Sequence, residues 1–296
     1  MFYISTFYKC FKFLDFIKFE ISLRDFCIKN KIKGTLIITP EGINATICSS
    51  EESSLEDLKI FIMKKIGDID FKYSLSNKSP FKKLKIKIRN ELVPSGTKGR
   101  PYDFKSQYLN ADEWNEFLKN DNNLVIDVRN SYENYVGSFK NSISPETKNF
   151  KEFKNFIKHN RDNLQGKKIG IFCTGGIRCE KALYSLKEEG LKDVYQLKGG
   201  ILNFFNEAKD KSTWQGECFV FDERVTINNS LRRGKYLQCY GCRRPISKKD
   251  TLSSKYKKGV CCPYCFNERS AVQKKRSLSR QKQIEINAEH MKFLSK

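Results

Sequence analysis

Two adjacent glycines between an apolar run and a helix restrict the folding of this chain more than any other feature. They lie in KKIGIFCTGGIRCEKALYSLKEEG, residues 167–190. The run before them reads as a strand, and the residues after them read as a helix closed by Gly190. A strand that passes into a helix through small residues belongs to an open parallel sheet, where sites form at the carboxyl ends of strands. Cys173 stands at that end. The loop Thr174, Gly175, Gly176 and Ile177 lets several backbone N–H groups face one atom. Such a nest, together with a helix N-terminus, stabilises negative charge. Cys173 is therefore expected to be a thiolate at neutral pH, placed for nucleophilic attack. Arg178 either holds the loop or meets an anionic ligand. Cys179 is either a resolving thiol or a residue of the first helical turn. An inert core cysteine would need neither the paired glycines nor the arginine. Two structural conditions follow: the sulfur must be reachable from solvent, and the amides must turn toward it.

The rest of residues 111–211 repeats the strand–helix alternation. ADEWNEFLK reads as a helix, NLVIDVR as a strand ending in charge, and NFKEFKNFIKHNRDNL as a helix. DVYQLKGG reads as a strand and ILNFFNEAKD as a helix. That order predicts a parallel sheet covered on both faces. Asp127 and Arg129 end the strand beside the active-site strand, where they order the loop or form an ordinary ion pair. Before this domain, VPSGTKGRPYDF reads as a linker, assigned to residues 93–110.

Residues 1–92 read as β-α-β-β-α-β, the ferredoxin-like order. GTLIITPEGINATIC gives two strands joined by a turn at 40–44, and SLEDLKIFIMKKIG gives a helix with both ends signalled. In FKKLKIKIR, Leu84, Ile86 and Ile88 alternate with Lys83, Lys85, Lys87 and Arg89. One face meets the core and the other is a row of cations. The row either protects an edge strand or contacts phosphates.

Residues 112–209 resemble a rhodanese domain. VIDVRNSYENYVGSF is similar to the family's Asp-x-Arg strand and following loop. C-x-x-x-x-R is similar to its active-site loop, in which the cysteine carries a persulfide. Ser138 stands where many rhodaneses have histidine. Related phosphatases use a loop one residue longer, so this one suits sulfur-sized chemistry. GTLIITPEGINATI, FKKLKIKIR, VIDVR, CTGGIRCEKA, KGGI and FVFDERV occur in the order seen in the rhodanese-like tRNA uridine hydroxylases, the UPF0176 family. The resemblance spans about residues 1–265, with Ala45 where many members have glycine. It implies an acylphosphatase-like N-terminal domain and a catalytic cysteine at Cys173. It also implies oxygen-dependent 5-hydroxylation of the wobble uridine of tRNA, with molecular oxygen as co-substrate.

Cys239 and Cys242 are spaced CxxC, as are Cys262 and Cys265, with nineteen residues between the pairs. That matches a four-thiolate, ribbon-type zinc site with a structural role. Cys261 could replace Cys262. Residues 212–270 therefore read as a Cys-rich basic module, and 271–296 as a basic tail, either disordered or a single helix. From Ser230 onward there are 18 Lys and Arg against 4 Asp and Glu, a net of +14 out of +22 for the chain. Lysine-rich composition alone explains part of the total; its concentration at one end points to a polyanion. Arg232, Arg233, Lys235, Arg243 and Arg244, with Tyr236 and Tyr240 among them, suit a tRNA anticodon loop, cations holding phosphates and aromatics stacking bases. The alternative is a solvated charged face.

The eleven cysteines include CxxC pairs, which argues for a reducing, cytoplasmic setting. No window has the length of a membrane span, and the N-terminus lacks a cleavage site. His159 and His290 read as surface residues, leaving no histidine base and no iron-binding triad. No nucleotide cofactor motif is visible, and nothing fixes the oligomeric state. Two other functions stay open: a sulfurtransferase using a Cys173 persulfide, and a non-catalytic RNA-binding sensor.

Overall fold

The computed structural model describes residues 1–97 and 99–294, with side chains of the last helix described as far as residue 287. The side chain of His290 lies outside that range. The chain forms two compact units, 1–233 and 234–296.

The first unit opens with β1 (Phe2–Cys10), α1 (Phe16–Lys29), β2 (Lys33–Thr39), β3 (Gly42–Ser49), α2 (Glu52–Ile66), β4 (Phe71–Ser76) and β5 (Leu84–Ile88). The sheet order is β4-β1-β3-β2-β5. The first four strands are antiparallel, as in a ferredoxin-like unit, and β5 adds in parallel to the free side of β2. Side chains alternate along each strand. Phe7, Leu36, Ile38, Ile43 and Ile47 therefore meet Leu23 of α1 and Leu55, Leu58 and Ile62 of α2 in one core. The opposite face of β1 carries Ile4, Thr6 and Tyr8, and β4 presents Lys72 and Ser74 beside them, paired with Thr6 and Ile4. Ala45 is buried in β3, opposite Phe7 and Leu36, and is not among the residues with positive φ. The left-handed backbone falls on Gly42 at φ 128° instead, so alanine at 45 costs no strain.

The rhodanese-like part contains β6 (Gln107–Leu109), α3 (Ala111–Leu118), β7 (Leu124–Asp127), α4 (Ser131–Asn134), β8 (Gly137–Phe139), α5 (Phe153–Leu164), β9 (Ile169–Phe172), α6 (Ile177–Glu188), β10 (Val194–Leu197) and α7 (Gly200–Glu207). Its four-stranded sheet runs β6-β10-β9-β7, all parallel. Asn110 caps α3, its side chain accepting the Asp112 and Glu113 N–H groups. Along β9 every side chain is buried because both faces are covered. Ile169 and Ile171 pack with Ile157 of α5 and Leu183 and Leu186 of α6. Phe172 packs with Trp114 of α3 and Phe204 and Phe205 of α7. The linker reading of 93–110 needs a correction at its end, since residues 107–109 form the edge strand β6.

Residues after 211 stay with this body. β11 (Trp214–Gly216) pairs with β8, and β12 (Cys218–Phe219) pairs with β13 (Thr226–Ile227). Arg224 is held by Asp222 and reaches Ser74 of β4 at 3.0 Å, which ties this segment to the N-terminal sheet. The second compact unit therefore begins at 234 rather than 212. It holds β14 (Leu237–Gln238), β15 (Pro245–Ile246) and α8 (Ala271–Leu294), so the tail is a single helix. Arg280 of α8 donates to the carbonyls of Tyr240 and Gly259, and Arg269 donates to Gly241, which fixes the helix to the Cys-rich turns. No described helix is long and apolar enough to cross a membrane.

Candidate active site

Cys173 follows β9 directly, and α6 begins four residues later. Gly176, at φ 102°, turns the chain so that its N–H donates to the Cys173 Sγ at 3.1 Å. The Arg178 N–H and the Cys179 thiol donate to the same sulfur. Burial alone would raise the Cys173 pKa. The Cys179 hydrogen bond, the Arg178 charge and the N–H groups of Arg178 and Gly176 outweigh it and bring the thiol down from 9.0 to about 5. The cradle is thus formed and the sulfur is a thiolate at neutral pH. Cys179 is the donor in this pair. Burial, then its hydrogen bond to Cys173, pushes its own thiol well above the ordinary range.

The other condition fails in this arrangement. Cys173 is 0% exposed, so its sulfur is sealed rather than open at the mouth of the sheet. Part of the cover comes from the N-terminal sheet. Its helix-free face carries Tyr8, whose hydroxyl oxygen stands 2.7 Å from where a Cβ on Gly176 would be. Lys72 from β4 lies over the Tyr8 ring at 5.3 Å. The first domain covers the loop of the second.

Arg178 holds the loop rather than a ligand. Its guanidinium donates to both Glu133 carboxylate oxygens at 2.5 and 2.7 Å, with Glu133 fully buried. Burial lowers the Arg178 pKa, but the Glu133 charge and hydrogen bonds raise it further, so the pair is ionic. Arg129 makes a similar fork on Asp127, at 2.8 and 2.6 Å, and donates to the Gly137 carbonyl. Burial favours the neutral acid, but Arg129, Asn134 and Ser138 hold Asp127 below its usual range. Ser138 donates to Asp127 at 2.8 Å.

Several residues here were not singled out from sequence. Glu133 comes from α4, 45 residues from Arg178. Glu180 is buried and accepts from Tyr8, Tyr108 and Ser106 at 2.9, 2.9 and 3.0 Å. Lys181 donates to Glu41 of the N-terminal domain at 2.6 Å, both 1% exposed. Residues 178–181 are thus four consecutive buried positions, three of them charged. Three charges within RCEKA, directly behind the cysteine, were the available signal.

The metal reading can be tested by distance. The sulfurs of Cys239, Cys242, Cys262 and Cys265 all lie within 4.8 Å of one another. Neighbouring pairs stand at 3.9 Å for Cys239–Cys265 and 3.8 Å for Cys242–Cys262 and Cys262–Cys265. A tetrahedron with Zn–S bonds of about 2.3 Å has edges of about 3.8 Å, so the four thiols fit zinc. Cys261 is not a fourth ligand in place of Cys262, since its sulfur turns to the Lys255 carbonyl.

The cations expected to contact RNA lie in separate places. Lys83, Lys85, Lys87 and Arg89 are exposed on β5 and just beyond it, and β5 is an edge strand. Leu84 and Ile86 pack into the core, whereas Ile88 is 40% exposed. Arg232 and Arg233 end the first unit, exposed. Lys235, Arg243 and Arg244 belong to the second. Arg243 stacks on Tyr240 at 5.2 Å, and Arg244 pairs with Glu268 at 3.1 Å. His159 is exposed, with Nδ1 against the Asn155 carbonyl.

A parallel sheet carrying an amide-cradled cysteine in a C-x-x-x-x-R loop defines a rhodanese-type domain, and the family model described as a rhodanese-like domain matches residues 110–207. The model described as the UPF0176 acylphosphatase like domain matches residues 2–92. With both domains in this order, the chain belongs to the UPF0176 family of the rhodanese superfamily. Among solved structures it is similar to a rhodanese-related protein from Thermoplasma volcanium, at 27% identity over 35% of this chain and 95% of that one, with a TM-score of 0.29. It is also similar to the rhodanese-like domain of an Anabaena protein, at 16% identity over 38% and 80%, TM-score 0.32. A single-domain sulfurtransferase from Saccharomyces cerevisiae matches at 16% identity over 36% and 94%, TM-score 0.31.

Proposed function

We propose that the protein is a tRNA-modifying enzyme that hydroxylates C5 of the wobble uridine, with molecular oxygen as co-substrate and Cys173 as the working cysteine. The observation that carries this is the union, in one chain, of the UPF0176 acylphosphatase-like domain with a rhodanese loop whose cysteine is held as a thiolate. A thiolate can add to C6 of uracil, which makes C5 nucleophilic toward an activated oxygen species. One oxygen atom ends on C5 and the other leaves as water, so two electrons and two protons come from an external donor. The base must leave its stack to reach the sulfur. Because Cys173 is sealed, its cover, which includes Tyr8 over Gly176, must also open when the base enters.

The basic tail, the β5 lysines and the Arg243–Tyr240 stack support a polyanionic RNA as partner. Zinc at the four cysteines would have a structural role, since four protein ligands leave no open position. A second reading, sulfur transfer through a Cys173 persulfide, draws on the short Cys173–Arg178 loop.

Nucleosides from tRNA of cells lacking the protein, and of cells complemented with wild type or Cys173→Ser, separate these readings by mass spectrometry. Loss of 5-hydroxyuridine derivatives without the protein, restored only by wild type, is the expected result. Unchanged tRNA together with thiosulfate-to-cyanide transfer in vitro would favour sulfur transfer.

A further inference from the structure

A cavity of about 270 Å³ lies beside the Cys173 loop, on the helix-free face of the N-terminal sheet. Tyr8, Lys72, Tyr108, Lys198, Asp70 and Gly199 line it. Its relation to the loop is fixed by close backbone approaches. The Lys72 Cε lies 2.7 Å from where a Cβ on Gly199 would stand. A Cβ on the next residue, Gly200, would stand 2.5 Å from the Cys173 carbonyl oxygen and 2.7 Å from the Gly176 nitrogen. Tyr8 covers Gly176 itself. Lys72 and Tyr8 therefore both line the cavity and touch the backbone around the sulfur, at Gly199 and Gly176.

The lining suits a flat polar group. Drug-sized ligands occupy about 300–1,000 Å³, so this cavity holds something smaller. Tyr8 and Tyr108 bring aromatic surface to the lining, and the lysines bring positive charge that suits carbonyl oxygens. Lys72 is partly buried, whereas Lys198 is exposed. Burial lowers the Lys72 pKa, and the charges of Asp70, Cys173 and Glu207 raise it only in part. The Cys173 charge is thus one of three that favour its ammonium form.

We propose that this cavity receives the pyrimidine base of the RNA and that Lys72 is a catalytic residue, holding the base oxygen O4 as it becomes negative. The inference rests on the tRNA reading above. The Cys173 Sγ lone pair forms the S–C6 bond. The C5=C6 pair moves to the C5–C4 bond, and the C4=O4 pair moves onto O4. The negative charge passes from sulfur to O4, beside the ammonium of Lys72. No electron is gained or lost, and no co-reactant is needed for this step. The N-terminal domain would then complete the active site as well as cover it.

The test uses full-length protein and a tRNA transcript bearing 5-fluorouridine at the wobble position, which retains a C6 adduct as a covalent complex on a denaturing gel. Wild type should form the complex. Lys72→Met should form it about 100-fold more slowly, the usual loss when one oxyanion donor is removed, while tRNA affinity hardly changes. Lys72→Arg should restore part of the rate. Wild-type behaviour of Lys72→Met overturns the inference and leaves the tRNA reading standing. Hydroxylation of tRNA in cells with no adduct from wild type overturns the addition step and the role of Lys72 with it. Neither adduct nor hydroxylation removes the tRNA reading itself.

Discussion

A sulfur with no solvent contact that still carries charge is held by direct partners alone. For Cys173 these are the Gly176 and Arg178 N–H groups, the Cys179 thiol and the Arg178 guanidinium. Thiolate ultraviolet absorbance, compared between wild type and Cys173→Ser, should give a midpoint near 5 rather than 9.0. The sign of the stability effect follows. The folded pKa lies below the unfolded one, so this group's contribution is complete above about 9 and is lost as pH falls to about 5. The urea midpoint of wild type should therefore gain on that of Cys173→Ser between pH of about 6 and about 8. The Arg178–Glu133 pair sets up the charge. Glu133→Ala leaves a buried guanidinium unpaired and should cost about 3–5 kcal/mol in urea unfolding. A loss below about 1 kcal/mol would mean that Arg178 finds another partner or water. The cysteine and arginine were legible because one local loop holds them. Glu133, Glu180, Tyr8 and Lys72 were not, because the fold brings them in from distant segments and nothing local marks them.

The ferredoxin-like order and the alternating α/β pattern were legible because each element buries a periodic face. The strand β6 was not, since three residues with exposed or half-exposed side chains carry no period. The Cys-rich element depends on spacing rather than on period. Its core is small, centred on the clustered cysteines with Ile246 and Val260. A metal would supply folding energy that such a core lacks. Purified protein should contain one zinc per chain by elemental analysis, and a chelator should unfold residues 234–296 while the first unit keeps its signal. A metal-free protein with that unit fully protected from hydrogen exchange would contradict the assignment. For β5, the edge position satisfies the protective reading, and the exposed lysine row also meets the needs of phosphate binding. Replacing Lys83, Lys85 and Lys87 with glutamine should lower the salt slope of tRNA binding by about 1 for each phosphate that these lysines neutralise.

Two domains meet around the Cys173 loop. Lys181 of α6 and Glu41 of the N-terminal domain form a buried pair across the boundary, and Arg224 joins Ser74. Tyr8 then lies over Gly176 of the loop, with Lys72 on the Tyr8 ring. Part of the cover over the formed cradle thus comes from the domain that, in the proposed function, also presents the substrate. Tyr8→Ala should speed alkylation of Cys173 by iodoacetamide at least tenfold, at a cost of about 1–3 kcal/mol in unfolding because buried Glu180 loses a donor. An unchanged rate would place the barrier elsewhere. The most direct measurement follows oxygen itself. Cells dependent on this protein are grown under heavy-isotope oxygen, and their tRNA nucleosides are weighed by mass spectrometry. Wild type should yield wobble 5-hydroxyuridine derivatives carrying one heavy oxygen atom, and Cys173→Ser should yield none. Labelled nucleoside at wild-type levels from Cys173→Ser would contradict the assignment of this sulfur to the reaction.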